Sequence, residues 1–309
     1  MDRAFTTYSA TNNTKPESDA AGATAENTHI SRTIELTATS SHQFIGKGGP
    51  SRGGGGRGSN IRAFYDPMTI QQIFPGIWNK PGGAIIAVAD NFFNLLGPGQ
   101  QVTTELAGRW LNTYISQIKS LDPNYQFQDS GLATTFEGQI YQLNFLRMKR
   151  AETYLRIKGD PRPLQVETLR FMQERADRAY NQGMRLLQAG KLPRQLSSQE
   201  ALGNYVDREV REALRERYNV LGINWNGKGP VRVNSREYDN SGTDRTYRIP
   251  DVRIYDLVID TSLTAKGPAT PQVKGFFATD FRPTLVIILR PSQLGRGHTY
   301  AIPRMENKR

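Results

Sequence analysis

The sequence predicts an α+β protein in three parts: a polar leader, a helical middle and a C-terminal module that mixes helices with short strands. Three observations carry this. Residues 1–60 are rich in Thr, Ser, Asn and Gly; residues 61–192 repeat apolar side chains at helical spacing; residues 196–309 interleave β-rich runs with helical segments. With 309 residues and 37% hydrophobic content, the chain suits about two folded parts plus a segment that does not pack.

The leader ends in a Gly-rich stretch, residues 46–59, that also holds Lys47, Arg52 and Arg57. Such a composition buries too little apolar surface to offset its ordering entropy, so residues 1–60 are expected to be disordered and to end in a flexible linker. The glycines lack the Gly-Lys-Ser/Thr pattern of a phosphate-binding loop. A leader read by a secretion or injection apparatus and an RGG-like nucleic-acid segment are its two functional readings. No secretory signal peptide is legible at the N-terminus. The most apolar window, Ala84 to Leu96, spans only 13 residues and contains Asp90. A bilayer needs about 20, so this window is expected to be a buried helix, and no membrane partner is expected.

In the middle part, Val102, Leu106, Trp110, Tyr114 and Ile118 recur every four residues, as one face of a helix does. Phe136, Ile140, Leu143, Leu146 and Met148 define a second helix that stops near Gly159. Pro163 suits the first turn of a third, whose inner face carries Val166, Leu169, Met172, Ala176, Ala179 and Leu187 up to Gly190. The opposite faces are dense in Arg and Gln, which reads as a solvated surface around a small helical domain.

The C-terminal module opens at Ser197, with Glu200 three residues on, a capping-box pattern for a helix to about Tyr218. Leu202, Val206, Val210, Ala213 and Leu214 form its buried stripe, fringed by Asp207, Glu209, Glu212 and Glu216. Pro230 to Arg236 alternates as a half-buried strand, and a turn follows at Tyr238 to Asp244. Tyr247 to Ile254 and Leu257 to Leu263 read as the next two strands, Pro271 to Phe277 as a helix, and Thr284 to Arg290 as a strand buried on both faces. Thr299 to Pro303 adds one more.

The stretch Thr246 to Phe277 concentrates the chemistry. Asp251 and Asp260 stand on neighbouring strands where aspartate is depleted, and Asp260 interrupts the apolar run Leu257 to Ile259. Burial there without a partner is costly. Two carboxylates with the ammonium of Lys266 nearby are the parts a metal-dependent phosphodiesterase needs. Each has a plainer reading as well: Asp251 as a turn aspartate after proline, Lys266 as a solvated strand end.

These residues resemble the PD-(D/E)XK, restriction-endonuclease-like nuclease superfamily. Pro250-Asp251 matches its first motif. The second motif should read acid-x-lysine; here Asp260 is followed by Thr261 and Ser262, with the lysine displaced to Lys266. Gln272 to Phe276 resembles the QxxxY element of the RecB-like branch, with Phe for Tyr. The order helix, three strands, helix, strand is the α-β-β-β-α-β core expected of that superfamily. The resemblance covers roughly the last third of the chain. It implies Mg²⁺ or Mn²⁺ held by Asp251 and Asp260, a water oriented or deprotonated by Lys266, and Gln272 contacting a phosphate or ordering the site. Ser262 is a secondary catalytic candidate. The preceding helix often supplies one further metal-binding carboxylate, for which Glu209 is the first choice and Glu212 the second. Arg248, Arg253 and Lys274 are candidates for flanking phosphates.

Charge agrees with a polyanionic partner. The net charge is +11, and residues 1–60 hold six Lys/Arg against five Asp/Glu, so nearly all the excess belongs to the remainder. Cysteine is absent and only His29, His42 and His298 are present, so thiolate zinc sites and histidine-metal nuclease sites lack parts. The expectation is a DNA-cleaving enzyme that resembles C-terminal nuclease modules of bacterial toxic effectors, made in the cytoplasm and delivered into a target cell. A cognate immunity protein is then an implied partner. The alternatives are a non-catalytic nucleic-acid-binding or virion structural protein, and a housekeeping or mobile-element nuclease of its own cytoplasm.

Overall fold

A computed structural model describes residues 93–94, 97–98, 104–127, 135–193, 195–241, 246–295 and 299–305. The predicted leader at 1–60 lies outside the described residues, as does most of the apolar window 84–96. Within that window Phe93–Asn94 forms a strand, β1, paired with β2 at Gly97–Pro98, so the expected helix does not run to residue 96.

Four long helices follow. They are α1 (Thr104–Leu121), α2 (Phe136–Lys158), α3 (Arg162–Gln188) and α4 (Ser198–Leu221). Their ends obey local rules. Thr135 Oγ1 accepts the Gly138 N–H at the start of α2, and Ser197 Oγ accepts the Glu200 N–H at the start of α4. Gly159 and Gly222 close α2 and α4 with φ of 71° and 73°, where a side chain would be strained. In α1 the buried stripe is Ala107, Leu111, Tyr114 and Ile118, which leaves Trp110 at its edge rather than its centre.

The predicted solvated face of the third helix is missing from its first half, where Pro163 through Gln173 of α3 are buried on every side, and present in its second, where Gln182, Arg185 and Gln188 are exposed. Its polar side chains are instead paired inside. Glu167 bridges Arg147 (2.8 Å) and Arg170 (3.0 Å). Gln165 donates to the Ile254 carbonyl (3.0 Å) and Gln173 to the Arg290 carbonyl (2.9 Å). Both carbonyls belong to the C-terminal module. Satisfied in this way, buried polar groups cost little and fix α3 in one register on the sheet.

The sheet has five strands in the order β3 (Val231–Val233), β6 (Val252–Ile254), β7 (Leu257–Thr261), β8 (Leu285–Leu289), β9 (Tyr300–Pro303). All neighbours are antiparallel except β7 and β8, which are parallel. That parallel pair requires a crossover, and helix α5 (Pro271–Ala278) lies within it. The alternation is strict. Val252, Ile254, Leu257, Ile259, Ile287 and Leu289 join α3 and α4 in one cluster; Val258, Val286, Ile288, Tyr300 and Ile302 join Val273 and Phe276 of α5 in another. Both faces are covered, as the apolar runs predict.

The first cluster runs without a break from Met148 and Leu164 to Ala301. It crosses the expected boundary near residues 192–196, and the described residues fall in one compact unit. Gly183 of α3 permits the close contact with α4: a Cβ there would stand 2.5 Å from Leu202 Cδ1 and 2.9 Å from Tyr205 Cδ1.

The predicted strand from Tyr247 to Ile254 is divided. Its first part, β5 (Thr246–Arg248), pairs with β4 (Glu237–Asp239) in a separate two-stranded ribbon. The expected turn therefore begins after Asp239. Pro250 explains the break, since it has no N–H to continue the ladder. Among the described residues no helix is long and apolar enough to cross a membrane.

Candidate active site

The break at Pro250 creates the site. The ladder pairs Val252 with Ile259, so its next rung sets Asp251 across from Asp260, where facing Cβ atoms are about 4.5–5.5 Å apart. The Thr261 N–H lies at the register position opposite Pro250, and Asp251 Oδ2 accepts it at 2.6 Å. A side-chain carboxylate thus substitutes for a ladder bond at the point where two acids must come together.

Asp260 receives two cationic or polar donors. Lys266 Nζ is 2.7 Å from Oδ2, and Gln272 Nε2 lies 3.0 Å from Oδ1 and 3.2 Å from Oδ2. Gln272 sits in the first turn of α5, so the crossover helix delivers it. Lys266 stands six residues beyond Asp260, and the loop that carries it is held by Tyr300 of β9. The Lys266 N–H donates to the Tyr300 hydroxyl oxygen (2.6 Å), and that hydroxyl donates to the Lys266 carbonyl (2.8 Å). Four of the five predicted catalytic residues, Asp251, Asp260, Lys266 and Gln272, are brought together. Ser262 is not: its hydroxyl donates to the Thr264 carbonyl at 2.8 Å and accepts the Thr264 N–H, closing its own turn.

The carboxylate from the preceding helix is Asp207, not Glu209. Glu209 is 39% exposed and lies 3.6 Å from Arg208, and Glu212 is exposed. Asp207 projects from α4 into hydrogen-bonding reach of Asp251. Its Oδ2 is paired with Arg211 at 2.6 Å, and Arg211 is steadied by Asn234 Oδ1 at 2.7 Å. Its Oδ1 is buried with no donor. Two carboxyl groups in contact, one with an orphaned buried oxygen, need either a shared proton or a cation between them.

The electrostatics follow. Burial first, then the Asp207 charge, pushes Asp251 up to about 7. Burial, then the Asp251 charge, pushes Asp260 up to about 7 against the opposing pull of Lys266. Burial also raises Asp207. Carboxylates crowded until they resist ionisation are what a site looks like when its positive partner must be added. The donors are hard oxygens, which suit Mg²⁺ or Mn²⁺ rather than a soft metal. Among the described residues no three acidic or histidine side chains close on one point.

The phosphate-binding candidates divide. Arg253 is committed to the fold: it pairs with buried Glu237 at 2.9 Å and stands 4.0 Å from the centre of the Phe281 ring. Arg248 lies across α5 at Gly275, where a Cβ would come within 2.0 Å of its Nε, one helical turn from Gln272. Lys274 is exposed on α5. Asp251 and Asp260 are nearly enclosed, at 7% and 3% exposure. Asp207 lines a cleft of about 360 Å³ between α4 and the turn after β7.

Asp207, Arg211 and Tyr300 are the members of this site that sequence reasoning did not assign. The one available signal was the short acid at 207 with Arg211 four residues on, an i,i+4 pair beside the buried stripe. Compared with known proteins, the chain matches no family model, no curated protein and no solved structure.

Proposed function

We propose that the protein is a metal-dependent nuclease that hydrolyses phosphodiester bonds of DNA at the cluster Asp207, Asp251, Asp260, Lys266 and Gln272. The observation that carries this is the approach of half-buried Asp207 to buried Asp251, with Asp207 Oδ1 left without a donor. The order helix, strands, crossover helix, strand, with acids on adjacent strands and a lysine beside the second, supports the restriction-endonuclease-like reading of the fold.

Asp207, Asp251 and Asp260 would hold the divalent cation, which when bound supplies a water of lowered pKa and positive charge against the phosphate. Lys266, 2.7 Å from Asp260, would place its ammonium where it could orient a water or meet the charge that develops on phosphate oxygens. Gln272 keeps Asp260 oriented. Arg248, seated on Gly275, meets a flanking phosphate.

The test is cleavage of plasmid DNA by the purified protein with Mg²⁺ and with EDTA. Cleavage should require the cation and fall at least 100-fold in Asp260→Ala and Asp207→Ala (about 3 kcal/mol of transition-state stabilisation), but remain in Glu209→Ala. Undiminished cleavage in Asp260→Ala removes this assignment. The second reading, a non-catalytic nucleic-acid-binding protein, is favoured by the way Lys266 and Gln272 satisfy Asp260 without any cation; it predicts binding with no cleavage in any divalent metal. The toxic-effector part of the proposal rests on the composition of residues 1–60. Expression toxicity that disappears in Asp260→Ala tests it.

A further inference from the structure

The cleft beside Asp207 is lined by neutral and acidic side chains. One wall is a face of α4 carrying Gln199, Glu200, Asn204 and Asp207; the other is the turn after β7, with Ser262 and Thr264. Among the described residues that line this space none is Lys or Arg. An oxyanion entering it meets the exposed Glu200 carboxylate, while Asp207 is already paired with Arg211 at 2.6 Å. Its volume of about 360 Å³ falls within the size of small-ligand pockets. Among its polar groups the side-chain amides of Gln199 and Asn204 both donate and accept. Ser262 is occupied with its own turn, whereas Gln199 and Asn204 are exposed.

We infer that this cleft receives the nucleobase next to the scissile phosphate, and that Asn204 and Gln199 select a base with an exocyclic amine, adenine first. The inference rests on the nuclease reading and goes beyond it by naming the part of the substrate that is read. A carboxamide pairs with adenine through two hydrogen bonds, and a carboxylate such as Glu200 accepts from an exocyclic amine. Guanine offers two acceptors and calls for Arg or Lys, which these walls lack. A base that enters a slot between a helix and a turn has left its stack. The preferred substrate is therefore single-stranded, or becomes so locally.

The experiment uses the full chain with Mg²⁺ on random-sequence single-stranded DNA, followed by sequencing of the new ends. One position flanking the cut should favour adenine over guanine by about 5- to 150-fold, the discrimination of one good bidentate contact. Joint substitution Gln199→Ala and Asn204→Ala should flatten that profile. Asn204→Asp keeps an acceptor but loses the N–H that meets adenine N7, so the preference should move towards cytosine. Each profile is a ratio between bases in one reaction, so the fraction of active protein cancels. A parent profile flat on both sides of the cut, or an Asn204→Asp profile identical to the parent's, overturns the inference and leaves the nuclease proposal intact. No cleavage by the parent in Mg²⁺ or Mn²⁺ overturns both.

Discussion

Replacing Asp207 with asparagine should stabilise the protein at pH 8 in EDTA while abolishing cleavage. Asp251 is held at about 7 against an ordinary 3.8. At about 1.4 kcal/mol per tenfold change, that gap corresponds to roughly 4 kcal/mol. Burial is the largest cause and the Asp207 charge the next, and relief from one neighbouring like charge is on the order of 1–2 kcal/mol. The sign is set by which state gives up protons first. Below the ordinary value both states are protonated, and the folded protein keeps its full stability. As pH rises from about 4 towards 7 the unfolded chain ionises first, so stability falls, and the loss is complete above the folded value. Asparagine removes the repelling charge, and its amide can donate to Asp251. The substitution costs the Arg211 ion pair, whose partners are 24% and 28% exposed; such a pair is worth about 0–1 kcal/mol. The net gain at pH 8 is about 1 kcal/mol, a Tm rise of about 2–4 °C, with no gain at pH 5. Thermal unfolding of parent and variant at both pH values, in EDTA, measures it. Equal destabilisation of Asp207→Asn at pH 5 and pH 8 would show that the two acids do not repel each other in the folded protein.

Three further outcomes are expected. Millimolar Mg²⁺ at pH 8 should raise the parent's Tm by mass action and leave Asp251→Ala unmoved; calorimetric titration with the metal alone checks the same point. Tyr300→Phe should cost about 1–3 kcal/mol of stability, since the Lys266 N–H and carbonyl lose their shared partner. It should also lower the plasmid cleavage rate about 10- to 100-fold through misplacement of the ammonium. Gly183→Val should destabilise by about 1–3 kcal/mol in urea unfolding, because a Cβ there meets Leu202 at 2.5 Å.

Much of the C-terminal part was legible because its strands obey period two and its breaks are marked by proline. Asp251 and Asp260 stood out as acids where apolar residues were due, and they do meet across a ladder rung. Glu209 was preferred over Asp207 because periodicity cannot separate them. Asp207 follows buried Val206 and Glu209 precedes buried Val210, so they flank the same stripe, and only the side on which the sheet packs decides between them. Arg253 misled for a related reason. On a strand an arginine beside an acid looks available, but its face was closed by Glu237 and Phe281. The largest gap was α3. Gln165, Glu167, Arg170 and Gln173 have the composition of a wet surface, yet Gln165 and Gln173 find carbonyls 89 and 117 residues away, at Ile254 and Arg290, and Glu167 pairs with Arg147 and Arg170. Composition reports polarity, whereas long-range hydrogen bonding decides where polarity can reside.

The Tyr300 clamp separates where Lys266 falls in the sequence from where its ammonium acts. A lysine fixed by strand register can move only in steps of two residues without changing faces. One fastened through its own peptide group, to a phenol from the far edge strand, is released from that arithmetic. The chain between the Ser262–Thr264 turn and Lys266, at Ala265, then has room to lengthen, provided the phenol still finds one N–H and one carbonyl. Insertions of one or two residues at Ala265 should consequently be tolerated better than the single-atom change at residue 300.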